Sequence, residues 1–259
     1  MKTIPAILAG VTALAALPAA APPAAQVSTG IEYRQGDYGT GERVETLTID
    51  NRLRVERDRL FLSASLPWRR LEAPGNVVGG GGLLGLPIVI DPTRPAAREV
   101  RSGVGDLRLG AGYRLPAPAG FEIALTGEVK LPTASARRGL GTGAVDFGVG
   151  AEASRRFGPV TPFVGIGYTM PGDPEGYRLR DSLAARGGVV AELAPGLRGT
   201  LAYGHAESPS PLVADERQVS TALEIGLARS LSLGLHGSAG LGDGAADYGA
   251  GISLGWRLF

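Results

Sequence analysis

The chain has 259 residues and no cysteine. That excludes a disulfide framework and any zinc or iron–sulfur site built on thiolates. Lysine is nearly absent: Lys2 and Lys130 are the only two, and every other strongly basic side chain is arginine. Net charge is also lacking. The formal value is +1, and loss of Lys2 would bring it to zero, so no global field draws nucleic acid or acidic partners. Beyond the N-terminal segment no apolar run is long enough for a membrane helix. Glycine is abundant, with 41 residues, but it does not recur at every third position, which excludes a collagen-like rod.

The N-terminal segment has the layout of a secretory signal peptide. Lys2 supplies a basic tip, an apolar core runs from Ile4 to about Ala21, and Ala-Pro-Pro-Ala-Ala follows. Cleavage fits after Ala21 or near Ala25, and the absence of cysteine excludes lipoprotein processing. The expected organisation is a signal peptide over 1–25 and one domain over 26–259. An exported chain without a spanning helix can still cross a membrane as a closed barrel, in which every backbone group pairs between strands.

What the chain does contain is period-two alternation. Phe121, Ile123, Leu125, Val129 and Leu131 share one face, and Glu122, Thr126, Glu128 and Lys130 share the other. Leu231, Leu233 and Leu235 oppose Ser232, Gly234, His236 and Ser238 in the same way. Period two excludes helices. The second face, rich in glycine and small polar residues with single charges, fits a barrel lumen better than the coat of a soluble sandwich. The segmentation predicts about twelve strands: 27–35, 43–55, 59–68, 103–114, 120–131, 144–156, 160–169, 179–192, 196–205, 215–228, 231–241 and 246–258. Short and long connections alternate, as in outer-membrane barrels with short periplasmic turns. The predicted fold is therefore all-β, an antiparallel transmembrane β-barrel after a cleaved signal peptide. The last ten residues, AGISLGWRLF, read as a closing strand with Trp256 and Leu258 toward lipid. Phe259 falls on the opposite parity, as if one residue were inserted.

Alternation gives the lumen-lining candidates: Asp106, Arg108, Arg114, Glu122, Glu128, Lys130, Asp146, Glu152, Arg186, Glu192, Arg198, Glu224, His236 and Asp247. Glu32, Arg34, Arg52 and Arg54 share the inward parity. Mixed charges inside a narrow barrel either pair and close it or line a thin aqueous path. An internal echo, GTGAVDFGVG at 141–150 and GDGAADYGAG at 242–251, places Asp146 and Asp247 just below the mouth. The long external loop expected at 69–102 is glycine-rich and apolar in its middle, and Leu83, Leu84, Leu86, Ile88 and Ile90 are the gate-loop candidates. Apolar surface of this kind normally touches something.

Three motifs carry little chemistry. Gly80-Gly-Gly-Leu-Leu-Gly85 satisfies a dinucleotide-loop pattern but has no preceding strand or following helix. His205 stands apart from any other metal-ligating residue, so no metal and no cofactor is expected. His236-Gly-Ser238 has the H-x-S spacing that outer-membrane phospholipases use. On a strand it puts a base and a hydroxyl on one face, though here toward the lumen.

The stretches GVGDLRLGAGYR (103–114), GEVKLPT (127–133) and LGTGAVDFGVG (140–150), followed by Arg156-Phe157, resemble the outer-membrane transporter family named for the MetA pathway of phenol degradation. The resemblance covers about residues 103–169. It implies a barrel that passes small, often aromatic or apolar, compounds. The expected function is thus a narrow outer-membrane channel or transporter for such solutes, and not an enzyme. Its expected partners are outer-membrane lipid and lipopolysaccharide, the barrel assembly machinery and the solute, with no nucleic acid. Two alternatives are a structural barrel closed by ion pairs and a lipolytic barrel enzyme using His236 and Ser238.

Overall fold

The computed structural model describes residues 24–39, 41–81, 86–89, 97–117, 120–174 and 176–259. The expected signal peptide, apart from its last two residues, lies outside them. The elements in chain order are β1 (Ala24–Gly36), β2 (Val44–Arg57), β3 (Leu60–Pro74), β4 (Val77–Gly81), β5 (Leu86–Val89), β6 (Arg98–Val104), β7 (Leu107–Leu115), β8 (Phe121–Leu131), a short 3-10 turn (Ala136–Arg138), β9 (Asp146–Arg155), β10 (Val160–Met170), β11 (Ser182–Ala194), β12 (Leu197–Ala206), β13 (Glu216–Gly226), β14 (Leu231–Gly240) and β15 (Tyr248–Arg257). β6 and β7 are two halves of one barrel strand, and β4–β5 is a separate hairpin. The remainder is a twelve-strand meander. β1 pairs antiparallel with both β2 and β15, and β2 continues to β3, so the barrel wall closes on itself.

The alternation read from the sequence is the alternation of the wall. On β10, Val164 and Ile166 are 59% and 60% exposed on the outside, while Phe163 and Thr169 are buried inside. Such an apolar exterior is stable in lipid, where a charged side chain at the midplane would cost about 2–4 kcal/mol. The short connections turn tightly. Pro195-Gly196 joins β11 to β12 with Gly196 at φ 78, a backbone region that favours glycine, and Asp58 takes φ 55 between β2 and β3. All the long connections lie at the opposite end, which is the outer one.

The closing strand explains the misplaced Phe259. The Leu258 N–H donates to Ala25 O (2.8 Å) and the Ala25 N–H donates to Phe259 O (3.2 Å). Two residues therefore oppose one, a β-bulge that supplies the extra residue. Leu258 and Phe259 are both exposed.

One predicted boundary needs correction. The loop expected over 69–102 is shorter, because β3 and β6 run on past the barrel in seven further rungs, from Trp68↔Val104 to Pro74↔Arg98. Arg70 and Arg98 lie on the outer face of this extension: Arg70 meets Glu72 (3.3 Å), and Arg98 meets Glu72 (3.1 Å) and Glu45 (3.2 Å). Leu71 and Ala73 continue the inward face and are buried.

Candidate functional site

Three tiers occupy the lumen. The first is a latch just below the outer mouth. Between β6 and β7 the register against β3 steps from Trp68↔Val104 to Ser65↔Arg108, so the β6–β7 strand carries one extra residue. This bulge at Gly105-Asp106 re-aims the chain and drives Asp106 inward. The Thr133 hydroxyl fills the gap in the ladder, accepting from the Leu107 N–H (2.8 Å) and donating to Gly105 O (2.9 Å). Lys130 Nζ then lies 2.8 Å from Asp146 Oδ2 and 3.5 Å from Asp106 Oδ2, and donates to Thr142 Oγ1 (2.8 Å). Lys130 and Asp146 are 0% exposed and Asp106 2%. The Ala134 N–H donates to Asp106 Oδ1 and the Gly172 N–H to Asp146 Oδ1, both at 3.0 Å. One buried ammonium thus serves two carboxylates whose other oxygens hold the loops 132–145 and 171–181. Each carboxylate thus turns one oxygen to a backbone N–H and the other to the ammonium, the kind of partnering that a buried charge set requires. Burial, with Asp146 nearby, pushes the Tyr177 phenol in the second loop up to about 12. The three stretches that carry the family resemblance contribute Asp106, then Lys130 and Thr133, then Thr142 and Asp146, and they meet here.

The second tier lies at the mouth above. Tyr38, Val44, Leu71, Ala73, Val77, Val213 and Ala246 form one buried apolar cluster. They come from the β1–β2 loop, β2, β3, β4, the β12–β13 loop and the β14–β15 loop. Burial pushes the Tyr38 phenol up, against the opposing pull of Arg34 below it. The β4–β5 hairpin is tied in by the Gly79 N–H to Gly139 O (3.0 Å) and by Arg101, which donates to Val77 O (2.7 Å) and Pro74 O (3.2 Å). Of the gate-loop candidates, Leu86 and Ile88 fall in β5, with Ile88 paired to Val78. Leu83, Leu84 and Ile90 lie outside the described residues. The apolar residues that meet over the mouth are thus largely ones that sequence reasoning did not single out. Only the continued parity of Leu71 and Ala73 beyond Trp68 signalled any of them.

The third tier is the charged wall beneath. Arg34 reaches Glu216 (3.2 Å), Arg198 pairs with Glu224 (2.6 Å) and Arg186 pairs with Glu152. Arg54 and Arg114 share one oxygen of Glu56, at 2.5 and 3.0 Å, and both stack on Phe61, at 4.1 and 5.3 Å from its ring centre. The ring lies over Gly112, where a Cβ would run into it. Glu122 is half-buried near Arg114, and Arg108 and Glu128 line the central cavity.

Two candidates are exposed at the rims of the barrel. Glu192 keeps the inward register, opposite Arg198, but is exposed at the inner rim, where it pairs with Arg156 (2.6 Å). Asp247 is exposed at the outer rim, just after the buried pair Ala245 and Ala246. His236 and Ser238 do share the inner face, but His236 Nε2 approaches Glu32 Oε1 at 3.7 Å, and neither ring nitrogen has a hydrogen-bond partner. A serine–base hydrogen bond is therefore not formed.

No protein-family model matches the chain, and no curated protein does either. Solved structures do. The NanC porin superposes with a TM-score of 0.55 at 8% identity, over 90% of this chain and 100% of that one. The KdgM porin in complex with disordered oligogalacturonate gives 0.54 at 7%, over 90% and 99%. The Pseudomonas putida toluene transporter TodX gives 0.46 at 11%, over 92% and 90%. At these identities the likeness concerns the fold. The chain is similar to the NanC and KdgM porins in architecture, a closed twelve-strand antiparallel β-barrel of the bacterial outer-membrane type.

Proposed function

We propose that this barrel is a narrow channel for small solutes with an apolar or aromatic body, held shut at its outer mouth in the state described. The observation that carries the reading is the apolar cluster drawn from six separate segments into the mouth. Apolar constrictions gate pores by excluding water, and an apolar solute is the kind that passes one at least cost. The sequence resemblance to the MetA-pathway transporters points to the same solute class. Twelve strands also enclose less space than general porins do, which argues against a wide nonselective pore. At the outer rim, Arg70 and Arg98 face outward, where they would meet anionic headgroups of lipopolysaccharide.

The test is conductance in planar bilayers together with uptake of phenol into liposomes. Deleting residues 76–90 removes Val77 and the hairpin while leaving the barrel ladder intact, since loops tolerate change and the wall closes on itself. The deletion should raise ion current and phenol uptake. An assembled deletion barrel with unchanged current and unchanged uptake would reject the gate. A specific observation favours one other reading, a structural barrel: the lumen charges are extensively paired. That reading expects no current from either form.

A further inference from the structure

The inner end of β9 carries a cation on the lipid-facing side of the wall. Ala151, Ala153 and Arg155 share the outward parity of the exposed Phe147 and Val149. Arg155 stands in register with Phe121 at the foot of β8. Its guanidinium carbon lies over the Phe121 ring, 5.1 Å from the centre, and over the ring of Phe157 in the following turn, at 5.0 Å. Both rings are exposed, at the end of the barrel where the inner aromatic girdle meets headgroups. Such rings attract a cation but do not cancel its charge.

No carboxylate cancels it either. Among the described residues Arg155 makes no ion pair and no hydrogen bond, and the two rings are its partners. Glu122, next to Phe121, and Glu152, on the same strand as Arg155, both take the inward parity, and Glu152 pairs with Arg186. Glu192 is taken by Arg156 (2.6 Å), whose Nε also donates to Gly158 O (2.9 Å). Arg155 is half-buried, and its nitrogens keep accessible surface. A guanidinium has five N–H donors in a fixed fork, and here their acceptor has to come from outside the chain.

The wall above Arg155 is hollowed. Ala153 lies in register between Ile123 on β8 and Val164 on β10, and Ala151 lies between Leu125 and Ile166. Leu125, Val164 and Ile166 are exposed, while the two alanines are half-buried. Branched side chains thus form two banks over a floor of methyl groups. The backbones of the banks are two strand spacings, about 10 Å, apart, which leaves the width of one acyl chain between them.

We propose that Arg155 and this trough bind one anionic phospholipid of the inner leaflet, with its phosphate on the guanidinium and an acyl chain along Ala153 and Ala151. The polarity agrees. Headgroups of that leaflet lie at the inner end, where Arg155 is, and tails run toward the midplane, where Ala151 is. Charge complementarity selects an anionic lipid over a zwitterionic one. The site lies on the outside of the barrel, so it does not depend on the channel reading.

The experiment is native mass spectrometry of the barrel in detergent micelles. The probes are phosphatidylglycerol, which carries a net negative charge, and phosphatidylethanolamine, which carries none. The wild-type barrel should retain a first phosphatidylglycerol at a concentration about fivefold lower than it needs for phosphatidylethanolamine, the scale of one arginine near an anionic headgroup. Arg155→Gln should abolish that preference, and Arg155→Lys should keep it. Ala153→Leu fills the trough and should weaken both lipids while leaving the preference. Arg57→Gln, at an exposed arginine on another turn, should change nothing. A preference that survives Arg155→Gln, or is lost equally in Arg57→Gln, would overturn the site in favour of a diffuse attraction to the rim. Wild-type retention by Ala153→Leu would overturn the seat of the acyl chain. So would release of the lipid by excess inorganic phosphate, which would leave only an anion site. Should Arg155→Gln fail to assemble, Ala153→Leu and the phosphate competition still decide.

Discussion

The two echoing segments, 141–150 and 242–251, have nearly the same sequence and the same place at the top of a descending strand, yet they bury different residues. In the first, Asp146 is fully buried while Val145 and Phe147 are exposed. In the second, Ala245 and Ala246 are buried and Asp247 is exposed. The difference lies in what stands opposite. Asp146 faces Lys130 on β8 in register. Asp247 follows on from a rung in which Gly240 donates to its carbonyl (3.1 Å), and on the other side lies Gly36. A Cβ at Gly36 would sit 2.7 Å from Ala246 Cα, and one at Gly240 would collide with Ala246 O. Two glycines thus open room for the alanine pair to enter the mouth. The repeated motif sets the turn, and the neighbouring strands decide which side chain goes in. One copy becomes an ionic latch, the other part of an apolar plug.

The largest expected effect comes from breaking the latch. Lys130→Met leaves Asp106 and Asp146 buried without their ammonium, a loss of about 3–5 kcal/mol for a broken buried pair. Urea unfolding in bilayers, followed by the fluorescence of Trp68 and Trp256, should show it as a lowered midpoint. Loops 132–145 and 171–181 should become sensitive to added protease. A variant with the wild-type midpoint and protected loops would mean that Lys130 is not what holds them.

The plug copy can be broken from its glycine side. Gly240→Ala places a methyl against Ala246 O, and overpacking of this kind costs about 1–3 kcal/mol. If the alanine pair is displaced, Tyr38 and Val213 lose a packing partner, and the outer plug should leak ions more readily. Gly127→Ala is the control, since a Cβ there meets only Gly148 O at 4.0 Å and points to lipid. It should change the midpoint by less than about 0.5 kcal/mol.

The wall was legible because period two is a local signal: strand parity, closure and the alternation of connections can all be read from neighbouring residues. Even the extra residue before Phe259 showed as a parity error. The latch was legible only in pieces. Asp106, Lys130 and Asp146 each read as inward-facing. Their meeting depends on the bulge at Gly105-Asp106, which a run such as GVGDLRLG does not reveal without its partner Thr133. The plug was hardly legible at all. Tyr38, Val77, Val213 and Ala246 are separated by up to most of the chain, and none carries a pattern of its own. Non-local convergence of that kind leaves no periodic trace. The exposure of Glu192 and Asp247 was not legible either: parity gives a side but not a depth, and both residues stand near a rim.

The smallest effect is the sharpest test of the comparison. Asp247→Asn removes the charge of the residue that matches Asp146 in the echo. An exposed rim carboxylate with no buried partner contributes little, so the unfolding midpoint should move by no more than about 0.5 kcal/mol. Asp146→Asn should cost several times more, because the neutral amide weakens the 2.8 Å buried contact to Lys130 and leaves that ammonium only the longer contact to Asp106 at 3.5 Å. If the two substitutions proved equal, either Asp247 would have a buried role in the membrane-embedded protein or the latch would be worth no more than a surface pair. Introducing Lys at Gly240 would discriminate between these outcomes. In a barrel where the opposite strand decides, that lysine should draw Asp247 inward, expel Ala246 and raise conductance through a plug that has lost one of its members.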